Sequence, residues 1–429
     1  REKFLEGSIR TINNGFAQDD SYQRLLNQEQ RTLSAYTELK IPIFSKLNSI
    51  PGVRELDLQL AARTEKYSMI TRPASTYIYG TTANLATNVP IVRTDIDYSS
   101  TNPTFALRYK PFDSLMLRAS YGTAFLPPSY SQLSAPIESP TSTITIVDPR
   151  RGNALTDIHP IRGGNPDIEP QGSKNWNLGL VFEPAAVSGL RASLEWFKLE
   201  QDNVIVTPTV QQMVDLESQF PGRIVRAAPA PGQTVGAITE VNATLINANK
   251  GETAGLDATL EYRLKTDAFG TFSFFAMGTR VLEYKIQNTI AAPLENIVNE
   301  LGRGGPVRLR VNGGVTWDRG MWSASWLMRY FGSYKQYDVG TNAYVIAQGS
   351  EYVPSQQYHD ALASYRFGAA TTGSSGSWLT DGLEVQLGIK NVFNKAPPFD
   401  AYYGVQSIYY SPLGDPRMRS YWMSVSKSF

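Results

Sequence analysis

The sequence predicts an all-β fold: a transmembrane antiparallel β-barrel with about thirteen strands present. Two patterns carry that prediction. Apolar and polar residues alternate with period two along many long segments, and the links between those segments are by turns short and long. A third observation removes the helical alternative, because nowhere in the 429 residues is there a run of roughly 20 apolar residues able to cross a bilayer as a helix. Alternating strands leave the average composition near that of a soluble protein, here 41% hydrophobic and 18% charged.

The first strand is expected at 31–44 and the second at 53–68, where Leu56, Leu58, Leu60 and Ala62 alternate with Asp57, Gln59 and Arg63. Strands at 102–111 and 114–125 follow, joined by a short turn from Pro111 to Ser114. At 173–184 and 189–206 one face carries Trp176, Leu178, Leu180 and Phe182, then Leu190, Leu194 and Trp196. Within 252–266, Leu256, Ala258, Leu260 and Tyr262 oppose Asp257, Thr259, Glu261 and Arg263, and 270–288 returns after a short link at Asp267. The pair 306–319 and 321–337 sets Val307, Leu309, Val311, Val315 and Trp317, with Trp322, Trp326, Met328 and Tyr330, against Arg308, Arg310 and Asn312. Strands at 356–368, 383–395 and 416–429 end the series; Leu383, Val385, Leu387 and Ile389 give the cleanest alternation.

The long links are 69–101, 126–172, 207–251, 289–305, 338–355 and 396–415, with a short amphipathic helix expected near Val210–Phe220. Short turns on one side and long loops on the other are the outer-membrane pattern, the long loops being extracellular. The 369–382 link is longer than that pattern expects. A soluble sandwich or propeller also alternates, but it hides its apolar face and keeps its strands closer in sequence. Here the aromatic residues gather on the face expected to meet lipid, and Tyr and Trp near strand ends suit membrane interfaces.

Composition narrows function. Net charge is +1, from 40 Lys plus Arg against 39 Asp plus Glu, so no overall field favours nucleic acid. With no Cys there is neither a disulfide nor a thiolate metal site, and no carboxylate run has calcium-loop spacing, so no cofactor is expected. The two histidines, His159 and His359, lack a Gly-x-Ser-x-Gly elbow, and the chain is read as not an enzyme. Gly302-Arg-Gly-Gly-Pro306 lacks the Lys and Ser/Thr of a phosphate loop and is read as a turn.

Several segments resemble one known family. Arg118-Ala-Ser-Tyr-Gly-Thr-Ala-Phe125 with Pro127-Pro-Ser129, Gly163-Gly-Asn-Pro-Asp-Ile-Glu-Pro170 with Ser173, Glu252-Thr-Ala-Gly-Leu-Asp257 with Tyr262, and Lys390-Asn-Val-Phe-Asn394 with Pro397-Pro398 are similar, in order, to blocks of the TonB-dependent receptors. Leu126 stands where that family often has Arg, and Gln171 where Glu is usual. The closing Tyr421, Met423, Val425, Lys427, Phe429 alternation looks like the terminal signal read by the barrel assembly machinery, with Phe429 its last residue and Lys427 the departure. The resemblance implies a barrel of about 22 strands around a plug. On that reading 1–30 is the remnant of an extracellular loop and 31–429 is the C-terminal part of the barrel. Thirteen is odd where single-chain bacterial barrels are even, so the remaining strands and the plug are expected upstream.

The resemblance further implies uptake across the Gram-negative outer membrane. The partners would be outer-membrane lipid, the plug, the TonB inner-membrane complex, the barrel assembly machinery and a small-molecule or oligosaccharide ligand such as a siderophore or vitamin. A passive porin and a secreted carbohydrate-binding β-protein are the alternatives. Candidate ligand contacts are Arg118, Glu261, Arg308 and Arg310 in the lumen, which with Asp257 and Arg263 have a second reading as braces or plug contacts. Arg150 and Arg151 in the loop segment Asp148–Asn153 are further candidates. Tyr402, Tyr403, Tyr409 and Tyr410 suit either stacking on an aryl or sugar ligand or the interfacial girdle.

Overall fold

The computed structural model describes residues 2–4, 7–11, 21–25, 28–71, 76–79, 94–133, 136–138, 143–287, 292–337, 343–368, 382–404 and 410–427. Thirteen long strands form its wall: β1 (Gln28–Phe44), β2 (Glu55–Thr71), β3 (Thr94–Phe112), β4 (Leu115–Leu126), β5 (Gln171–Phe182), β6 (Leu190–Val206), β7 (Ile246–Thr266), β8 (Gly270–Ile286), β9 (Leu309–Arg319), β10 (Trp322–Phe331), β11 (Gln356–Arg366), β12 (Leu383–Lys390) and β13 (Ser420–Lys427). Each pairs antiparallel with the next, so the sheet is an up-and-down meander. Short strands sit above it, including Glu2–Phe4 against β1 and a three-stranded sheet of Gly7–Thr11, Ser21–Leu25 and Thr76–Tyr79.

The register lines up most of the apolar residues of the strands on one face, with Phe197, Phe275 and Met277 on the other. Tyr109 pairs with Leu117, Leu117 with Leu180, Leu180 with Leu194 and Leu194 with Ala258. Further on, Tyr262 meets Phe274, Phe274 meets Val315 and Val315 meets Trp326. These side chains are not gathered into a dry centre. Leu178 is 55% exposed, Leu387 57% and Met423 67%, and the buried apolar clusters lie among the loops and strand tops. On β7 the apolar row runs from Ala254 to Leu264, about 34 Å along the strand. With the usual tilt that matches an apolar band about 25 Å tall. Above it a β-bulge between Ala254 and Gly255 shifts the register, and a polar ladder takes over: Lys198 to Glu200 at 2.6 Å, Lys285 to Glu283 at 2.9 Å and to Glu252 at 3.4 Å.

Strand ends depart from expectation where local chemistry outweighs alternation. β3 starts at Thr94 rather than 102 because Pro103 does not stop it: above Thr104 the strand pairs with β2 alone, so the missing N–H faces an unpaired side. β7 starts at Ile246, earlier than 252, because Ile246–Gly251 has stood clear of the apolar band and lost its alternation. β10 stops at Phe331, and Tyr334–Lys335 pairs separately with Tyr352–Val353. β12 ends at Lys390, since Asn391 and Asn394 take φ of 52° and 54° and turn the chain, a conformation asparagine tolerates well.

Candidate functional site

At the long-loop end, the loops after β4 and β6 interlock into one cap. The helix α1 (Val210–Asp215) is started by Thr209 in a reciprocal bond pair with Gln212. It buries Val210, Met213 and Val214 against Ile146 and Ile158 of the Ile144–Asp148/Ala154–Ile158 hairpin, with Phe220, Ile238 and Val241. Gln211 fastens the two loops edge on, accepting from Val147 N and donating to Val147 O, both at 2.9 Å. The cap is tied to the wall by Asn165, whose amide donates to Leu245 O at 2.9 Å, and by Asn247, which accepts from Glu169 N at 2.7 Å and donates to Asn203 O at 2.9 Å.

An ion-pair cluster lies inside this cap. Arg226 donates to Asp148 at 2.7 and 3.0 Å and to Glu217 at 2.7 and 2.9 Å, while Arg150 adds a 3.1 Å pair with Glu217. The side chain of Asp148 is wholly buried, so only such a partner lets it stay ionised. Hydrogen bonds from Arg226 hold the carboxyls of Asp148 and Glu217 below their ordinary range, and the same contacts raise Arg226. Beside the cluster lies a pocket of about 660 Å³ lined by Pro149, Arg150, Glu217, Phe220 and neighbours.

The polar face of the wall carries a transverse charge belt. Asp57 takes a 2.7 Å bond from Arg108; Arg118 reaches across Gly179 to pair with Glu195; Thr279 donates to Asp257 at 2.6 Å; and Arg310 is next in register. Arg118 skips a strand because Gly179 is bare, since a Cβ there would stand 2.6 Å from its Nε. Glycines likewise make room for Phe197 at Gly255 and for Phe275 at Gly314. Most of the charges face one side of the sheet and most of the leucines and tryptophans the other, so this wall separates water from hydrocarbon with its polar side inward.

Comparison with known proteins decides the family. The sequence matches the TonB-dependent receptor-like β-barrel over residues 7–392.

The chain belongs to the TonB-dependent receptor β-barrel family.

The fold agrees with solved receptors. The siderophore receptor PirA from Acinetobacter baumannii is 17% identical with a TM-score of 0.53, the match covering 96% of this chain and 59% of that one. The ferric-catecholate import receptor Fiu from E. coli K12 is 14% identical at 0.52, covering 96% and 46%. The haemophore receptor HasR of Serratia marcescens, in a structure with its haemophore and haem, is 14% identical at 0.50, covering 96% and 61%. The chain thus spans roughly half the length of the solved receptors it matches. No curated protein matches.

Each resembling segment has a task in the TonB-dependent receptor barrel. Arg118–Phe125 forms β4 and supplies the belt arginine; Asn165 and Glu169 anchor the cap; Gly255 seats Phe197; and Asn391 closes its turn through Lys395 N and O at 2.9 and 2.7 Å.

The structure sorts the candidate residues. Arg118 is paired with Glu195, Arg150 with Glu217, and Glu261 with Arg191 at 3.7 Å near the short turns. Among the described residues Arg151 reaches only Gln233, at 3.5 Å. The side chains of Arg308 and Arg310 have no partner among the described residues, and both are exposed at the long-loop end of β9. His159 is an exposed loop residue, whereas His359 lies on the apolar face with Trp326 Nε1 donating to its Nδ1 at 3.0 Å. Tyr402 and Tyr403 sit in a loop cluster with Tyr337 and Tyr344, away from the strand ends. Phe429 and Tyr409 lie outside the described residues. Sequence reasoning missed Arg226 and Glu217. Their partners are remote in sequence, Arg226 and Asp148 being 78 residues apart, and no local pattern announces them.

Proposed function

We propose that this chain forms the wall and mouth of an outer-membrane receptor of a Gram-negative cell, importing a scarce ligand such as a siderophore, vitamin or oligosaccharide. In this reading it is not an enzyme. A plug closes the lumen, and the TonB complex of the inner membrane acts on that plug to release bound ligand. The barrel assembly machinery inserts the wall, with Phe429 as its signal. The inverted wall supports this reading most strongly: a continuous apolar exterior around a charged interior, in a family of receptors. Of the six candidate contacts, Arg308 and Arg310 are the ones left for a ligand or plug, because their guanidinium donors have no partner among the described residues, while Arg118, Arg150 and Glu261 are in ion pairs and Arg151 donates to Gln233. They would meet a carboxylate, phosphate or phenolate group.

Uptake by cells carrying the gene tests the reading. Saturable accumulation that stops when the inner-membrane proton gradient is collapsed is the expected result, and flux that persists without the gradient points instead to a passive porin. Arg308→Ala with Arg310→Ala should lower ligand affinity with the barrel still assembled.

A further inference from the structure

The outward face of the wall carries a recess and, at its upper end, a cation that no neighbouring side chain answers. Cross-strand pairing sets Leu107, Ala119, Leu178, Trp196, Leu256 and Arg280 in one row over β3 to β8, all on the apolar face. Ala119 is the small residue of that row, and the leucines and Trp196 around it shape a groove of about 420 Å³ that reaches Leu256, the partner of Arg280. Beneath Arg280, Gly278 pairs with Ala258, so no large side chain covers the arginine stem. Strand tilt inclines the row relative to the membrane. Arg280 is far up β8 from the short turn before Gly270, whereas Leu178 is close to the short turn after Phe182. The row therefore descends through the apolar band from Arg280 to Ala119.

Above the row, the lysines of this face are already matched. Lys198 pairs with Glu200 at 2.6 Å, Lys285 with Glu283 and Glu252 at 2.9 and 3.4 Å, and Lys174 with Asp202 at 3.9 Å. Glu283, the carboxylate next above Arg280 on β8, is thus taken by Lys285. Arg280 itself is exposed and has no hydrogen-bond or ion-pair partner among the described residues. Its partner Leu256 lies just below Ala254, where the apolar row of β7 ends, so a guanidinium on a long stem reaches the headgroup level from there. It keeps its charge at every physiological pH, and its planar fork fits a phosphate with two parallel hydrogen bonds. A phosphate at the upper edge of the band, joined to an apolar chain running down the wall, answers both features together.

We propose that Arg280 and the groove floored by Ala119 form one seat for a phosphate-bearing lipid of the outer leaflet, with the phosphate on Arg280 and an acyl chain in the groove. This rests on the membrane part of the reading above, long loops outside the cell and apolar face toward lipid, and ligand uptake has no part in it.

The test is binding of two lipids with the same chains, dioctanoyl phosphatidate and dioctanoyl phosphatidylcholine, to the full chain in detergent, with bound lipid counted by native mass spectrometry. Phosphatidate should bind about 10-fold more tightly, the low end of what a charge-assisted hydrogen bond contributes. Arg280→Gln should bring the ratio to about one. Arg319→Gln, which removes an exposed arginine at the short-turn end of β9, should leave the ratio unchanged. Ala119→Trp fills the groove and should weaken both lipids with the ratio kept, the far-ultraviolet barrel signal showing that the wall is intact. Inorganic phosphate at the same concentration should displace neither lipid, which separates a lipid seat from a simple anion site. Equal binding of the two lipids by the unaltered chain, a preference that survives Arg280→Gln or falls as far with Arg319→Gln, unchanged affinities in Ala119→Trp, or displacement by phosphate overturns the proposal. Import without the lipid preference would refute this seat alone, and the preference without import would refute the transport reading alone.

Discussion

The wall and the cap are built by one chain for opposite surroundings. In the wall, leucines and tryptophans stand exposed on one face while Arg118, Glu195 and Asp257 occupy the other. In the cap the order reverses: Ile146, Met213, Val214 and Val241 are buried together. The difference teaches that the hydrophobic effect fixes no inside or outside by itself; what lies beyond the surface does. Ion pairs separate the two regions as well. Those of the wall, such as Arg118 with Glu195, are partly exposed in a polar interior, while Asp148 in the cap is sealed and depends on Arg226.

That contrast can be broken first in the cap. Arg226→Ala strands the buried Asp148 and should destabilise the cap by about 3 to 5 kcal/mol, seen as faster hydrogen exchange over α1 and the Ile144–Ile158 hairpin with the wall strands unaffected. Equal protection in both proteins would mean the cluster is ornamental. In the wall, Leu387→Arg should impair membrane assembly by about 2 to 4 kcal/mol while Gln386→Arg is tolerated, and equal yields of folded protein would contradict the assigned faces. Gly179→Val drives its side chain into Arg118 and should cost about 1 to 3 kcal/mol, measured by urea unfolding in detergent, with Arg118→Ala restoring much of the loss.

The smallest effect is on pH. Folding lowers the carboxyl pKa values of Asp148 and Glu217 from ordinary values of 3.8 and 4.5. Their stabilisation is therefore complete above that range and is lost as pH falls through the lowered values. Cap protection factors, which divide out the intrinsic pH dependence of amide exchange, should be flat from neutral pH to about 5 and fall below about 4. A fall that begins near pH 6 would implicate another group.

How much of this could be read from the residues follows the same division. The wall was legible because each strand separates two solvents and so writes a period-two pattern, as in Leu383–Ile389. Its ends were less so: β3 starts at Thr94 rather than the expected 102, in a stretch that has a neighbour on one side alone. The helix near Val210 was legible from its amphipathic pattern, and Thr209 with Gln212 caps it. The ion-pair cluster was not. Asp148 and Arg226 become neighbours only when two loops fold together, and nothing around Arg226 marks it as buried. Among the candidate arginines the sequence could not say which were satisfied; pairing set Arg308 and Arg310 apart.

The central claim is that the apolar face of the wall meets hydrocarbon. With no native cysteine, single cysteines placed along β7 from Ala254 to Leu264 can each carry a nitroxide in the lipid-reconstituted protein. Spin labels at 254, 256, 258, 260, 262 and 264 should be relaxed by membrane-dissolved oxygen, and those at 255, 257, 259, 261 and 263 by a water-soluble nickel complex. The reverse alternation, or none, would contradict the account.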